Sequence, residues 1–429
     1  MQIHVIGGGL AGCEAAWAAA NRGAEVILHE MKPHRFSPAH SLENLCELVC
    51  SNSLKASRLD SAGGLLKAEM ELLGSCTLVA AKETSVPAGG ALAVDRVLFA
   101  KEVTRILEGH PRITIVREEV TALPEDGIMI IATGPLTDGA LAGEIRSLCG
   151  DTLRFYDAAA PIVERSTIDM DHAFFAARYD RGDDDYINCP MTEEEYDTFY
   201  AALITAERAP LHETDGMKVF EGCMPVEVMA SRGRDTLLYG PLRPVGLRDP
   251  KTGKRPFAVV QLRQDNREGT LFNLVGFQTN LKWGEQKRVF SLIPALRNAE
   301  FVRYGVMHRN SFIRSPEVLN GDFSLRLNPR IFFAGQITGV EGYMESAASG
   351  IMAGINAARR AEEKETVILP PETMLGALSR YISDSSCGDF QPMNANFGIL
   401  PPLPTRIRDK HARYLSLSER SLGTFTEKF

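Results

Sequence analysis

The chain opens with four residues of strand character, Ile3 to Ile6, then a run of glycines, then an Ala-rich stretch from Cys13 to Asn21 with the composition of a helix. Gly23 closes that helix, and Glu25 to Leu28 reads as a second strand. Ser61 to Leu73 is helical. Val86 to Ala93 reads as a glycine-broken loop. Asp95 to Glu108 is a helix with mixed apolar and basic faces and Asp95 as its N-cap. Ile113 to Val116 and Val120 are strand-like. Gly127 to Gly134, GIMIIATG, is a short apolar run ending in a turn, the pattern of a parallel strand buried on both faces. Such a strand belongs beside the first one.

After about Phe155 the pattern changes. Asp169 to Asp197 is acidic, and Phe257 to Leu262 and Leu271 to Phe277 are short strands among turn signals at Pro241, Pro244, Gly253 and Pro256. Near the end, RIFFAGQITGVEGYMESAASGIMAG (Arg330 to Gly354) repeats the opening order. A strand at Ile331 to Ala334 leads into a glycine-rich turn and a small-residue helix, Glu345 to Ala358.

The first turn carries chemistry. Gly7, Gly9 and Gly12 have the spacing G-x-G-x-x-G, between a strand and a helix. The first glycine permits the turn, the second lets a pyrophosphate approach the backbone, and the third lets helix and strand pack closely. Gly8, Leu10 and Ala11 complete this phosphate-binding turn, because a helix N-terminus offers free N–H groups and a positive dipole end. Glu30 ends the second strand, where a carboxylate can accept hydrogen bonds from a ribose; Met31 and Lys32 follow it. A second strand–turn–helix some 300 residues later fits a cofactor long enough to meet two helix N-termini, as FAD is. The expected fold class is α/β, with an FAD-binding Rossmann-like domain of the glutathione-reductase type. Residues 1–155 and 325–429 form that domain, and 156–324 form an inserted α+β domain facing the substrate.

Composition narrows the class. The 429 residues are 44% hydrophobic and 24% charged, ordinary for a soluble enzyme. No apolar run approaches the roughly 20 residues of a membrane span, and Met1 leads straight into the first strand, leaving no room for a signal peptide. None of the eight cysteines forms a C-x-x-C pair, which points to a reducing cytoplasm and to no metal site. The net charge of −8 hides an asymmetry: Ser231 to Arg330 holds 18 Lys/Arg against 8 Asp/Glu. An acidic body with one basic region can steer a polyanion to one face.

Several longer motifs carry a resemblance. Cys50 lies in ELVCSNSLK and Cys223 in FEGCMPVE; SVPAGGALAVDR, FYDAAAPIV, YGPLRPVGL, NLVGFQTNLKWGEQKRVF, YGVMHRN and FFAGQITGVEGYMESAA accompany them. Together these resemble the bacterial folate- and FAD-dependent tRNA uracil-C5-methyltransferases, the TrmFO family, along nearly the whole chain. The longer wobble-uridine flavoproteins of the GidA type share that architecture and add a C-terminal extension for which this chain has no room. The resemblance implies methylation of the T-arm uridine of tRNA at position 54. It implies 5,10-methylenetetrahydrofolate as carbon donor, and FAD reduced by NADH or NADPH to carry the methylene and supply the hydride. The same motifs would serve a ribosomal RNA uridine, and a non-catalytic FAD-containing RNA-binding protein is a third reading, against which the two cysteines speak.

Uracil C5 is a poor nucleophile until a thiolate adds at C6, so the reaction needs a cysteine, a base for the C5 proton and a reductant. The resemblance assigns the catalytic thiols to Cys50 and Cys223, either of which can be the nucleophile. Ser51, Asn52 and Ser53 are expected at the cofactor, with Val120, Gly134, Gly335, Gln336, Gly342 and Tyr343. Gln336 stands where flavoproteins more generally carry Asp. His308, Arg309 and Asn310 are folate candidates. Arg232, Arg234, Arg243, Arg248, Lys251, Lys254, Arg255, Lys282, Lys287 and Arg288 are candidates for RNA phosphate contact.

Overall fold

The structure is a computed structural model that describes residues 2–151, 153–180, 183–210, 224–388 and 390–426. Its central sheet has six strands: β1 (Ile3–Ile6), β2 (Val26–His29), β3 (Ile113–Val116), β4 (Ile128–Ile131), β5 (Ser324–Leu325) and β6 (Asn328–Phe333). The spatial order is β5–β6–β4–β1–β2–β3, parallel except for β5. All four residues of β4 are buried, as both-face coverage requires. It pairs with β1 on one side and β6 on the other, so the late segment completes the sheet begun by the first residues.

Helix α1 (Leu10–Ala20) is buried at ten of its eleven positions. It packs against helix α2 (Tyr343–Ala361), and both helices rest on the sheet, α1 against β1 and β2 and α2 against β4 and β6. Alanine and glycine let these layers meet backbone to backbone. A Cβ on Gly350 would stand 2.1 Å from the Ala11 carbonyl oxygen, and one on Gly354 would stand 2.3 Å from that of Ala15. A Cβ on Gly12 would stand 1.7 Å from the Gly7 carbonyl oxygen, so the third glycine of the motif serves packing.

The insertion has its own six-stranded antiparallel sheet, in the order Phe174–Phe175, Tyr186–Met191, Ala258–Gln264, Leu271–Leu274, Ile162–Glu164 and Phe301–Arg303. Helices Glu193–Ile204 and Trp283–Phe290 contribute Tyr196, Phe199 and Phe290 to its separate apolar core. Strands Leu153–Ala158 and Met307–Phe312 pair antiparallel, so the chain leaving for the insertion runs beside the chain returning from it.

The glycine-broken loop is a correction. Ser85–Val86 and Ala91–Val94 pair as a hairpin, and Ala91–Val94 also pairs with Ser53–Ala56. Gly89, at φ +56°, lets the chain reverse between two halves that pair rather than ending a strand. Val120 lies outside any strand.

Two predictions follow from packing. Gly350→Val should destabilise the fold by about 1–3 kcal/mol or more through overpacking. Gly143→Ala, a helical glycine whose Cβ would meet nothing within 4 Å, should stabilise it by roughly 0.5–1 kcal/mol. Urea midpoints measure both. A further prediction concerns Glu69, fully buried, which accepts the Met374 and Leu375 N–H groups and the Ser421 hydroxyl. Burial raises its pKa from 4.5 to about 7, with those hydrogen bonds opposing. Folding therefore favours the protonated acid, a contribution present below the unfolded value and lost as pH rises through about 7. Unfolding free energy should fall across that window by roughly 3 kcal/mol at most, and Glu69→Gln should flatten the profile.

Candidate functional site

A cleft with about 1280 Å³ of empty space opens at the C-terminal ends of β1, β2 and β4. Gly7, Gly8, Gly9, Leu10, Ala11, Glu30, Met31, Lys32, Val120, Gly134, Gly335, Gln336 and Tyr343 all line it. Gly9 is the N-cap of α1 and Gly342 that of α2, and neither helix has a side-chain cap at that end. Their first N–H groups are left for a ligand. A Cβ on Gly9 would meet nothing within 4 Å, so the space above it belongs to the cleft. Gly12 and Gly342 do not line the cleft; they set the positions of residues that do.

The Glu30 carboxylate is only 6% exposed. It accepts the Gly8 N–H at 2.9 Å and the Lys32 N–H at 3.0 Å, which pins the glycine turn against the end of β2. The Lys32 ammonium donates to the Asn44 carbonyl at 2.6 Å. Gln336 donates to Glu341 at 2.6 Å. Arg35, Ser37, His40 and Thr133 also line the cleft. Sequence reading missed them because the irregular segment after Lys32 has no periodicity to place them; the polar Thr133 between Ala132 and Gly134, at the end of β4, was the one readable signal.

Cys50 is partly exposed and sits where this cleft meets the insertion. The Tyr343 hydroxyl, from the first turn of α2, accepts the Cys50 N–H at 2.8 Å and the Ser51 N–H at 3.2 Å. Burial holds that phenol well above its ordinary pKa, with a negative Cys50 adding to the effect and Arg96 opposing it. The Cys50 thiol lies 3.6 Å from the Ala158 carbonyl oxygen, at the strand leading into the insertion. Three buried or half-buried guanidinium groups hold the loop. Arg96 donates to Leu48 O at 3.4 Å and pairs with Asp265 at 2.9 Å. Arg303 donates to Val49 O at 2.6 Å. Arg263 donates to Asn52 at 3.0 Å and to the Ser51 hydroxyl at 2.9 Å. Cys50 acts on the charges of both Arg96 and Arg303.

Asn52 is fully buried and saturated, donating to Val94 O and Gln264 O while accepting from Arg263. It positions the cysteine loop rather than lining the cleft, and Ser51 and Ser53 also stand off the lining. The three arginines went unnoticed in the sequence because single charges inside apolar strands or at a helix start carry no spacing signal.

Cys223 lies outside the described residues. The backbone of His308 and Arg309 pairs with Asp157 and Tyr156, and their side chains are likewise outside the description. Asn310 pairs with Phe155 and is buried. The basic candidates divide. Arg234 is held by Glu193 and Asp197 and lies over the Tyr196 and Phe257 rings. Lys282 pairs with Glu207, Arg288 with Glu285, and Lys251 donates to the Asp171 carbonyl. Arg232 is exposed at the end of helix Val226–Ser231. Arg243, Arg248, Lys254, Arg255 and Lys287 are exposed, and among the described residues none has a carboxylate within ion-pair distance. Among the described residues no cluster of three or more His, Cys, Asp or Glu could hold a metal ion, and no helix is long and apolar enough to cross a membrane.

Comparison with known proteins agrees with this geometry. Residues 2–365 match the family model described as GIDA, glucose inhibited division protein A. A protein of Lactiplantibacillus plantarum named methylenetetrahydrofolate--tRNA-(uracil-5-)-methyltransferase TrmFO is 58% identical over 425 residues, 99% of this chain and 96% of that one. A protein of Desulfitobacterium hafniense with the same name is 59% identical over 426 residues, 99% and 98% of the two chains. The solved structure of Aquifex aeolicus GidA aligns with a TM-score of 0.72 at 18% identity, over 99% of this chain and 73% of that one. That likeness shows the fold. The chain therefore belongs to the GidA family and, within it, to the methylenetetrahydrofolate--tRNA-(uracil-5-)-methyltransferases of the TrmFO type.

Proposed function

We propose that this chain methylates C5 of a tRNA uridine, the T-arm uridine at position 54, using 5,10-methylenetetrahydrofolate and FAD, with NADH or NADPH as reductant. One observation carries the reading: the Cys50 loop is bonded to Tyr343 on the cofactor cleft and to Arg263 and Arg303 of the insertion. A thiol there meets a ligand of the cleft and a substrate reaching the insertion. The name borne by relatives 58–59% identical along the whole chain supports the same reaction. The reducing cytoplasm is the compartment that suits it.

FAD, when bound, supplies the electrons and a carrier for the one-carbon unit. Gly7 to Ala11 and Glu30 would hold its pyrophosphate and ribose, and Gly335, Gln336 and Tyr343 its far end. A thiolate adding to uracil C6 turns C5 into an enolate carbon that bonds the methylene. A base then takes the C5 proton and the methylene parts from its carrier; a hydride adds to that carbon as the thiolate leaves C6, which restores the C5–C6 double bond. Cys50 and Cys223 divide the nucleophile and base roles. Tyr343 fixes the Cys50 backbone, and the arginines hold the loop on either side of it. Arg243, Arg248, Lys254, Arg255 and Lys287 are the proposed phosphate contacts, His308, Arg309 and Asn310 the proposed folate contacts. We place the insertion at residues 156–324.

Methylation is tested by incubating the protein with methylenetetrahydrofolate, NAD(P)H and undermethylated RNA, then mapping 5-methyluridine by mass spectrometry; product elsewhere than tRNA position 54 sinks the site assignment. Gly9→Ala should keep wild-type stability yet lose flavin, because its methyl group enters space that only a ligand fills; yellow Gly9→Ala protein with normal FAD affinity would refute this placement. Cys50→Ala and Cys223→Ala should each retain FAD and oxidise NAD(P)H, while 5-methyluridine formation drops by orders of magnitude. A 5-fluorouridine T-arm minihelix should trap a covalent complex, and the variant that fails to cross-link marks the nucleophile. Wild-type methylation rates in both variants would disprove a thiol mechanism.

A further inference from the structure

An aromatic column stands beside the Cys50 loop and outside the cofactor cleft. Trp283 opens helix Trp283–Phe290 and stacks on Tyr304, with ring centroids 5.8 Å apart and planes 14° apart. Tyr304 stacks in turn on Phe301, at 5.6 Å and 11°. Phe301 packs against Phe290 of the insertion's core. The column thus runs from a rigid interior to solvent, and its outermost ring, Trp283, is 63% exposed. Among the described residues few large apolar groups are so open, and this one is held flat by the rings beneath it.

The column borders the reaction site. Arg303, one residue from Tyr304, donates to the Val49 carbonyl. Val306, two residues beyond Tyr304, accepts the Ala159 N–H at 2.8 Å, and the neighbouring Ala158 carbonyl lies 3.6 Å from the Cys50 thiol. Lys282 and Lys287 flank the indole on its own segment; Lys282 is paired with Glu207, whereas Lys287 has no ion-pair partner among the described residues.

We infer that Trp283 is a stacking platform for an unpaired base of the substrate tRNA. The inference rests on the tRNA reading above. A uridine attacked at C6 and C5 has to leave its base stack, which strips an adjacent base of its neighbour. A rigid exposed indole replaces that neighbour, whatever the base, because every base has a π-face. The occupant is the RNA rather than the folate. A donor held at the cofactor lies in the cleft, and neither Trp283, Tyr304 nor Phe301 lines it.

The chain has two tryptophans, so Trp17→Phe leaves Trp283 as the sole indole reporter. Trp17 is remote from the column, donating to the Gly74 carbonyl from α1. Titrating FAD-loaded Trp17→Phe protein with undermethylated tRNA should quench the remaining indole fluorescence. Trp283→Ala in the wild-type background should weaken tRNA binding roughly 5- to 100-fold, with Trp283→Phe recovering most of it. Its slope of log affinity against log salt should stay at the wild-type value. Lys254→Ala with Arg255→Ala should lower that slope by roughly 0.7–0.9 per lost contact. Flavin absorbance and NAD(P)H oxidation should be unchanged in Trp283→Ala. Bound tRNA that leaves the fluorescence unmoved, wild-type affinity in Trp283→Ala, or quenching by methylenetetrahydrofolate in place of tRNA overturns the platform alone. Wild-type protein that binds no tRNA overturns the tRNA reading with it.

Discussion

The backbone contact between α1 and α2 is the constraint on which the site depends. Gly350 and Gly354 lie against the Ala11 and Ala15 carbonyls with no room for a Cβ. That approach brings the N-termini of two helices, more than 300 residues apart in sequence, to one cleft. It also fixes Tyr343, in the first turn of α2, against the backbone of Cys50. A wider spacing between the helices would separate the two ends of the cofactor site and move the phenol off the cysteine loop.

The second constraint is electrostatic. Residues 48–52 have no regular structure, yet Arg96, Arg263 and Arg303 bind three carbonyl or amide oxygens and one hydroxyl there. Two of these arginines belong to insertion strands and one to the helix that follows Asp95. Burying guanidinium groups is costly without partners, and the loop's oxygens and Asp265 provide them. The result is a thiol held still among positive charges at the boundary of two cores. The same economy of charge sorts the basic residues of the insertion: Arg234 is spent on two carboxylates and two rings, while Lys254 and Arg255 face solvent.

The sequence by itself determined the elements whose signal is local. The glycine spacing, the acid at the end of β2, the apolar run of β4 and the late strand–turn–helix each reveal themselves within a few residues, because turn geometry and burial act at that range. Long motifs around Cys50 and Tyr343 carried the family. Tertiary structure alone decided what depends on distant partners. It turned a supposed glycine-broken loop into a hairpin, since Gly89 reverses a chain whose halves pair. It gave Asn52 partners far away in the chain, Arg263 and two carbonyls that use up its amide. It also separated bound from free charges and built the Trp283 column from residues that no periodicity connects. Hydrogen bonds, ion pairs and ring contacts between remote segments form only after the backbone has folded, so their partners leave no spacing in the chain to read.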